Sequence, residues 1–261
     1  MGNARDIKKR MKAVGNIKRI TRTMQMIATS KFAKAQQTSL ASRPYTDTLF
    51  GLVAKLAEAG VGEGHPLLTE PSADSNELTL LISADRGLCG PYNGTMVRTM
   101  LKHLKGSSEA GNGIIEVVGK KGASALKFNG YSGFTQHTNI GDKPAYEDVE
   151  RLAERFTEMF INGEVSAVRV VYMKYFSAGR QRPEVMQLLP FSAPVVEGDA
   201  DASGTQDLYE FSPDADSLLD SLLPAAVKAV LFQCFNDAVV SEHIARMVAM
   251  KAATDNAGKM G

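Results

Sequence analysis

The chain has 261 residues, 44% of them hydrophobic, with 30 Lys and Arg against 29 Asp and Glu. That composition suits an ordinary globular protein with a sizeable core and is not that of a global polyanion binder. Cys89 and Cys234 form neither a disulfide framework nor a zinc-type spacing, so a reducing compartment is the simplest expectation.

The amino terminus has no apolar h-region of a secretory signal. A transit peptide is a closer mimic, but residues 1–29 contain no Ser and the helical pattern runs well past the usual length. No apolar run reads as the roughly 18 to 20 residues that cross a bilayer. The expectation is a soluble chain that can still sit against a membrane complex.

From residue 3 to Ala59 the pattern stays helical, interrupted by Gly15, Pro44 and Gly51. Pro44 is expected to kink or re-aim this helix rather than end it, because Leu49, Leu52, Val53 and Leu56 resume the period. Ile7, Met11, Val14, Ile17, Ile20, Met24 and Ile27 recur at spacings of three or four, an apolar stripe on one helix face. Within the first 35 residues ten Lys and Arg are opposed only by Asp6. Such a helix is on the order of 80 Å long, more than a small domain's diameter.

A Gly/Pro/Ser-rich loop follows, and the middle of the chain then alternates. "LTLLISA" (78–84), "GIIEVVG", "VSAVRVVYMKYF" (165–176) and "PEVMQLLPF" (183–191) read as strands, the last two paired through "SAGRQR". "TMVRTMLKHL", "KKGASALKF" and "YEDVERLAERFTEMFI" read as helices. Alternation of this kind predicts a Rossmann-like α/β layer.

From Pro213 onward a helical pattern returns with Pro224 as its one breaker. Val227, Val230, Cys234, Ala238, Ser241, Ala245, Val248 and Ala252 form a second stripe, small enough in its later part for close approach. Each stripe can pack on the chain's own α/β surface. Their length argues instead that the two helices pack on each other as an antiparallel coiled coil. The predicted organisation is therefore 1–59 and 213–261 as one paired shaft around an α/β domain at 78–195.

"SADRGLCGPYNG" (83–94) joins a strand to a helix, where phosphate loops sit. Gly87, Gly90 and Gly94 are spaced GxxGxxxG rather than GxGxxG, and no Lys-Ser/Thr follows. A tight turn needing Gly is the expected role. Cys89 near a helix start has the position of an activated thiol, but His65, His103, His137 and His243 form no pattern around it. A small buried thiol is expected, and neither a cofactor nor a metal site. For the basic helix, a solvated face, nucleic acid and an acidic protein partner all stay open on the residues alone.

Three stretches carry a resemblance that spans the whole chain in order. They are "NIKRITRTMQMIATSKFAKAQ" running to "SRPY", the mid-chain "DRGLCGPYN", and "SEHIARMVAMKAATDNAGKM" near the end. With these the chain resembles the gamma subunits of F-type ATP synthases, the central rotary shaft. The resemblance implies a non-catalytic subunit whose terminal coiled coil turns inside a ring of alpha and beta subunits. The α/β domain would then stand beside an epsilon-type subunit and the membrane ring of c subunits.

It further implies that proton or sodium flow turns the shaft, which presents a different face to each beta site. An acidic loop on beta would meet the basic face. By matching motif positions, Arg22, Met24, Glu242 and Arg246 are the expected coupling collar, and Tyr209 and Glu210 the foot on the c ring. Asp85, Arg86, Gly87, Cys89 and Gly90 are expected in a turn toward the base. Family members usually run some 25 to 30 residues past "NAGKM", so a shortened or truncated shaft is expected. No paired-cysteine insert lies near "VVEGDADASGT", so thiol regulation is not expected.

The expected place is the cytoplasmic face of a bacterial plasma membrane, with the mitochondrial matrix side as alternative. Two rival classes remain. A Rossmann-type enzyme with helical arms would show a nucleotide-dependent thermal shift. A nucleic-acid-binding coiled coil would show steeply salt-dependent DNA affinity.

Overall fold

The computed structural model describes residues 3–58, 62, 64–69, 76–192 and 215–260. Helix α1 (Asn3–Glu58) and helix α6 (Ala215–Met260) flank β1 (Leu78–Ile82), α2 (Tyr92–Gly106), α3 (Ser108–Gly111), β2 (Ile114–Val118), α4 (Lys120–Phe128), β3 (Phe134–His137), α5 (Tyr146–Ile161), β4 (Val168–Ser177) and β5 (Arg180–Leu189). One sheet has the order β3-β2-β1-β4-β5. All pairs are parallel except the β4–β5 hairpin.

All five β1 residues are buried, as a central parallel strand covered on both faces requires. Strand alternation divides its side chains. Leu78, Leu80 and Ile82 join a core with α5, α6 and the end of α1, whereas Leu81 faces the core made with α2 and α4. The sequence reading omits β3: it has four residues, none fully buried, and so no apolar run to announce it.

The two long helices pack antiparallel, as Thr21 meets Thr254 and Ser42 meets Gln233. On α1 the seam recurs every seven residues, a 3.5-residue coiled-coil period, at Thr21, Ala28, Ala35, Ser42, Leu49 and Leu56. Phe32, Ser39, Thr46 and Val53 interleave with them. This corrects the stripe read from sequence. Ile7, Met11, Ile17, Ile20 and Ile27 are all more than half exposed, between 51% and 58%. The heavy apolar residues dominate the pattern, but small and hydroxyl side chains make the contact, because they let the two backbones approach.

On α6 the stripe holds from Val227 through Ser241 and then shifts to Ile244, Met250, Thr254 and Ala257, leaving Val248 exposed. A 3.6-residue count drifts off a 3.5-residue seam over this length. Helix α1 runs unbroken through the exposed Pro44. Contrary to the sequence expectation, Ser217–Met260 is long and apolar enough by composition to cross a membrane. Its Ala and Val residues account for this, and half of its most apolar window is buried against the rest of the protein.

Leu49→Ala, in the buried seam, is expected to cost about 2–5 kcal/mol in urea unfolding of the full chain. Ile17→Ala should stay within about 0.5 kcal/mol. Equal losses would place the seam on the wrong face.

Candidate functional site

The turn after β1 is built by side chains that hold its backbone. Asn93 Oδ1 accepts from the Ala84 amide at 3.0 Å, and Asn93 Nδ2 donates to the Arg86 carbonyl at 3.3 Å. Asp85 Oδ1 accepts from the Lys120 amide at 3.0 Å, which caps α4 and ties the turn to the next crossover. Gly90 adopts φ +56° and lies against Ala249 of α6, so there the turn does use glycine's freedom, although Leu88 holds φ +63° without it. At Gly119, φ +96°, a Cβ would stand 2.2 Å from the Ser83 carbonyl oxygen.

The turn is fastened to both long helices. Arg246 Nη1 donates to the Gly87 carbonyl at 2.5 Å and also pairs with Glu242, one turn earlier on α6. Asp142 receives Arg86 of the turn and Lys31 of α1, the latter at 3.1 Å. Tyr92 OH donates to the Ala238 carbonyl at 3.2 Å. Thus Asp85, Arg86, Gly87, Cys89 and Gly90 lie together with Glu242 and Arg246.

Arg22 and Met24 stand apart, near the level of Thr21 and Thr254. Arg22 is exposed and Met24 half-buried. By the antiparallel register they stand about 14 to 17 Å along the coil from Glu242. Tyr209 and Glu210 lie outside the described residues.

Burial alone would push Glu242 up, yet hydrogen bonds and charge from His243 and Arg246 outweigh it, and its carboxyl is held below the usual 4.5. Burial and the neighbouring Glu242 charge push the Cys89 thiol up, the reverse of an activated nucleophile. Among the described residues no His/Cys/Asp/Glu group could hold a metal ion.

The histidines do have a pattern, which their spacing along the chain conceals. Each is at ion-pair distance from a carboxylate: His65 with Asp220, His103 with Glu77, His137 with Glu116 and His243 with Glu242. The three glutamates are buried and each also receives an arginine, Arg169, Arg155 and Arg246 respectively. The partners of Glu77 and Glu116 lie 21 to 92 residues away in sequence, beyond any local signal, whereas Glu242, His243 and Arg246 are neighbours on α6.

Because the folded-state values of Glu242 and Glu116 lie below 4.5, the stability they supply is present above the unfolded value and lost as pH falls through the folded one. The urea midpoint should therefore decline below about pH 4.5, and the decline should be shallower in Glu242→Gln. Arg246→Ala, which strands a buried carboxylate, should cost about 3–5 kcal/mol at pH 7. Iodoacetamide should leave native Cys89 unmodified and label it only after unfolding. Rapid native labelling would contradict its burial.

The family model described as ATP synthase matches residues 3–261. The ATP synthase gamma chain of Rhodopirellula baltica is 40% identical over the whole of this chain and 89% of its own length. That of Leptospira biflexa is 38% identical over the same shares, and that of Haemophilus influenzae 36% identical over all of this chain and 90% of its own.

Among solved structures, the central stalk and c-ring of Tetrahymena thermophila mitochondrial ATP synthase supplies a chain with TM-score 0.64 at 18% identity. The match covers 90% of this chain and 99% of that one. A chain of the Euglena gracilis mitochondrial ATP synthase rotor gives TM-score 0.61, also at 18% identity, over 99% of this chain and 93% of its own. At that identity the structural likeness speaks for the fold, and the family rests on the sequence matches. The chain belongs to the ATP synthase gamma chain family.

Proposed function

We propose that this chain couples ion flow to ATP synthesis by turning as one stiff body between a c-subunit ring and an alpha-beta ring. It would stand beside an epsilon-type subunit, peripheral to the membrane on the cytoplasmic side of a bacterial cell. The observation that supports this best is the double fastening of the coil. A 56-residue and a 46-residue helix are zipped together by side chains and tied to the α/β layer at Gly87 and Asp142. A torsional load on one part is thereby passed to the others.

The exposed face of α1 supplies the outward surface. Ile17, Ile20 and Ile27 stand beside Lys18, Arg19 and Arg22, all exposed, an apolar and basic strip suited to an acidic protein partner such as a loop of beta. In this reading Arg22 and Met24 meet beta directly. Glu242 and Arg246 belong to the same collar but work from inside, holding α6 on the base turn. Tyr209 and Glu210 are the proposed foot on the c ring, and residues 78–195 the proposed Rossmann-like α/β domain.

Co-expression with alpha and beta subunits and purification through a tag on beta should yield one copy of this chain per three alpha-beta pairs. Beta recovered without this chain would contradict the reading. Arg22→Glu should weaken retention by roughly tenfold, about 1.4 kcal/mol, through like-charge contact with beta, while the urea midpoint of the free chain stays unchanged. Undiminished retention would remove Arg22 from the collar.

A further inference from the structure

At the carboxyl end of β1, where the strand order reverses, a cleft of about 750 Å3 opens between the turn after β1, the loop at residues 142–144 and the two long helices. Open α/β sheets place ligands at this switch point, and the volume lies in the range of small-molecule sites. The amides at the α4 amino terminus are already taken by Ser83, Ala84 and Asp85, so they are not the anchor.

Charge and an orphaned donor give the cleft its chemistry. Five cations line it, Lys31, Lys34, Arg86, Lys120 and Lys143, against two carboxylates, Asp85 and Asp142. Both carboxylates are engaged: Asp85 by the Lys120 amide, Asp142 by Lys31 and Arg86 together. The side chains of Lys34, Lys120 and Lys143 have no carboxylate partner among the described residues, and all three are exposed.

Asn236 of α6 also lines the cleft, is only 6% exposed, and its Nδ2 has no acceptor. A buried donor left unpaired is costly, and an acceptor-rich guest relieves it. Ala35, Pro144 and Val239 supply apolar wall beside the cations.

We propose that this cleft binds a small polyphosphate anion, with Lys34, Lys120 and Lys143 on the phosphoryl oxygens and Asn236 Nδ2 donating to one of them. The size suits a diphosphate or larger, and a free pyrophosphate and the polyphosphate tail of a nucleotide share this chemistry. An acidic peptide could use the lysines on the rim, but it would have no use for the deep, neutral donor of Asn236. The proposal does not depend on the rotary role, and the subunit retention that tests that role is a separate measurement.

Calorimetric titration of the full chain with sodium pyrophosphate and, separately, metal-free ATP tests it. The expected result is saturable one-to-one binding of pyrophosphate, with tighter ATP binding if the apolar wall takes the nucleoside and equal binding if the phosphates alone are held. Lys34→Gln, Lys120→Gln and Lys143→Gln together should weaken binding at least about tenfold. The same loss of charge at Lys8, Lys9 and Lys12 should leave it within about twofold.

Asn236→Leu should weaken binding while leaving the thermal midpoint unchanged or raised, since it removes an unpaired donor. A merely structural Asn236 would lower the midpoint and spare the affinity. Absence of saturable binding by either anion overturns the proposal. So does equal weakening by the distal lysine variant, or lysine dependence seen only with an acidic peptide.

Discussion

One buried carboxylate draws both long helices and the sheet to a single point. Asp237 accepts from Ser39 of α1 at 3.2 Å, from Gln233 one turn away on α6 at 2.8 Å, and from the Tyr175 amide of β4 at 3.3 Å. Around it, Gln233 also bonds Ser39 and Ser42, Gln36 reaches the Tyr175 hydroxyl, and Arg43 reaches the Tyr175 carbonyl while standing 3.8 Å from Asp237. Burial pushes the Asp237 carboxyl up further than these partners pull it down. Replacing a buried charged layer by apolar groups of similar volume is often neutral for stability. What the polar layer adds is register, because a slip of one heptad strands a charge and two amide groups at once.

From that layer the ties run in both directions. Toward the base, Leu49, Val53 and Leu56 merge with the main core under the sheet, so the foot of α1 is held by area rather than by polarity. Away from it the seam thins to Ala28 and the hydroxyl pair Thr21–Thr254, and the larger apolar residues turn outward. The gradient suits a shaft. One end is part of a folded body, and the other keeps its apolar and basic surface for whatever surrounds it. The base turn completes the assembly by gripping α6 through Arg246 and α1 through the Arg86–Asp142–Lys31 bridge.

The sequence made the elements legible wherever burial is one-sided or complete. Val149, Leu152, Phe156 and Phe160 announce α5 because one face carries all the apolar weight. Strand β1 shows as an apolar run, interrupted only by Thr79, because both faces are covered. Coil pairing was legible from helix length, but the seam was not. Pattern reading weights residues by hydrophobicity, and here the seam is Thr21, Ala28, Ser39 and Thr46, while Ile17, Ile20 and Ile27 face outward.

At the candidate site, the turn and its glycines were visible as punctuation. The grip of Arg246 on Gly87 spans 159 residues, and the triads of Glu77 and Glu116 are likewise assembled only by folding. No spacing rule encodes such contacts.

Coil and α/β layer are held as one mechanical unit by these ties. Amide hydrogen exchange on the full chain tests it most directly. Amides of α1 from Phe32 to Leu56, of α6 from Val227 to Ile244, and of β1 and β4 should exchange through a single global opening and share one free energy. Exchange of the α1 amides through a cheaper opening, with β1 and β4 still protected, would contradict it. The chain would then be a sheet domain with a loosely attached arm.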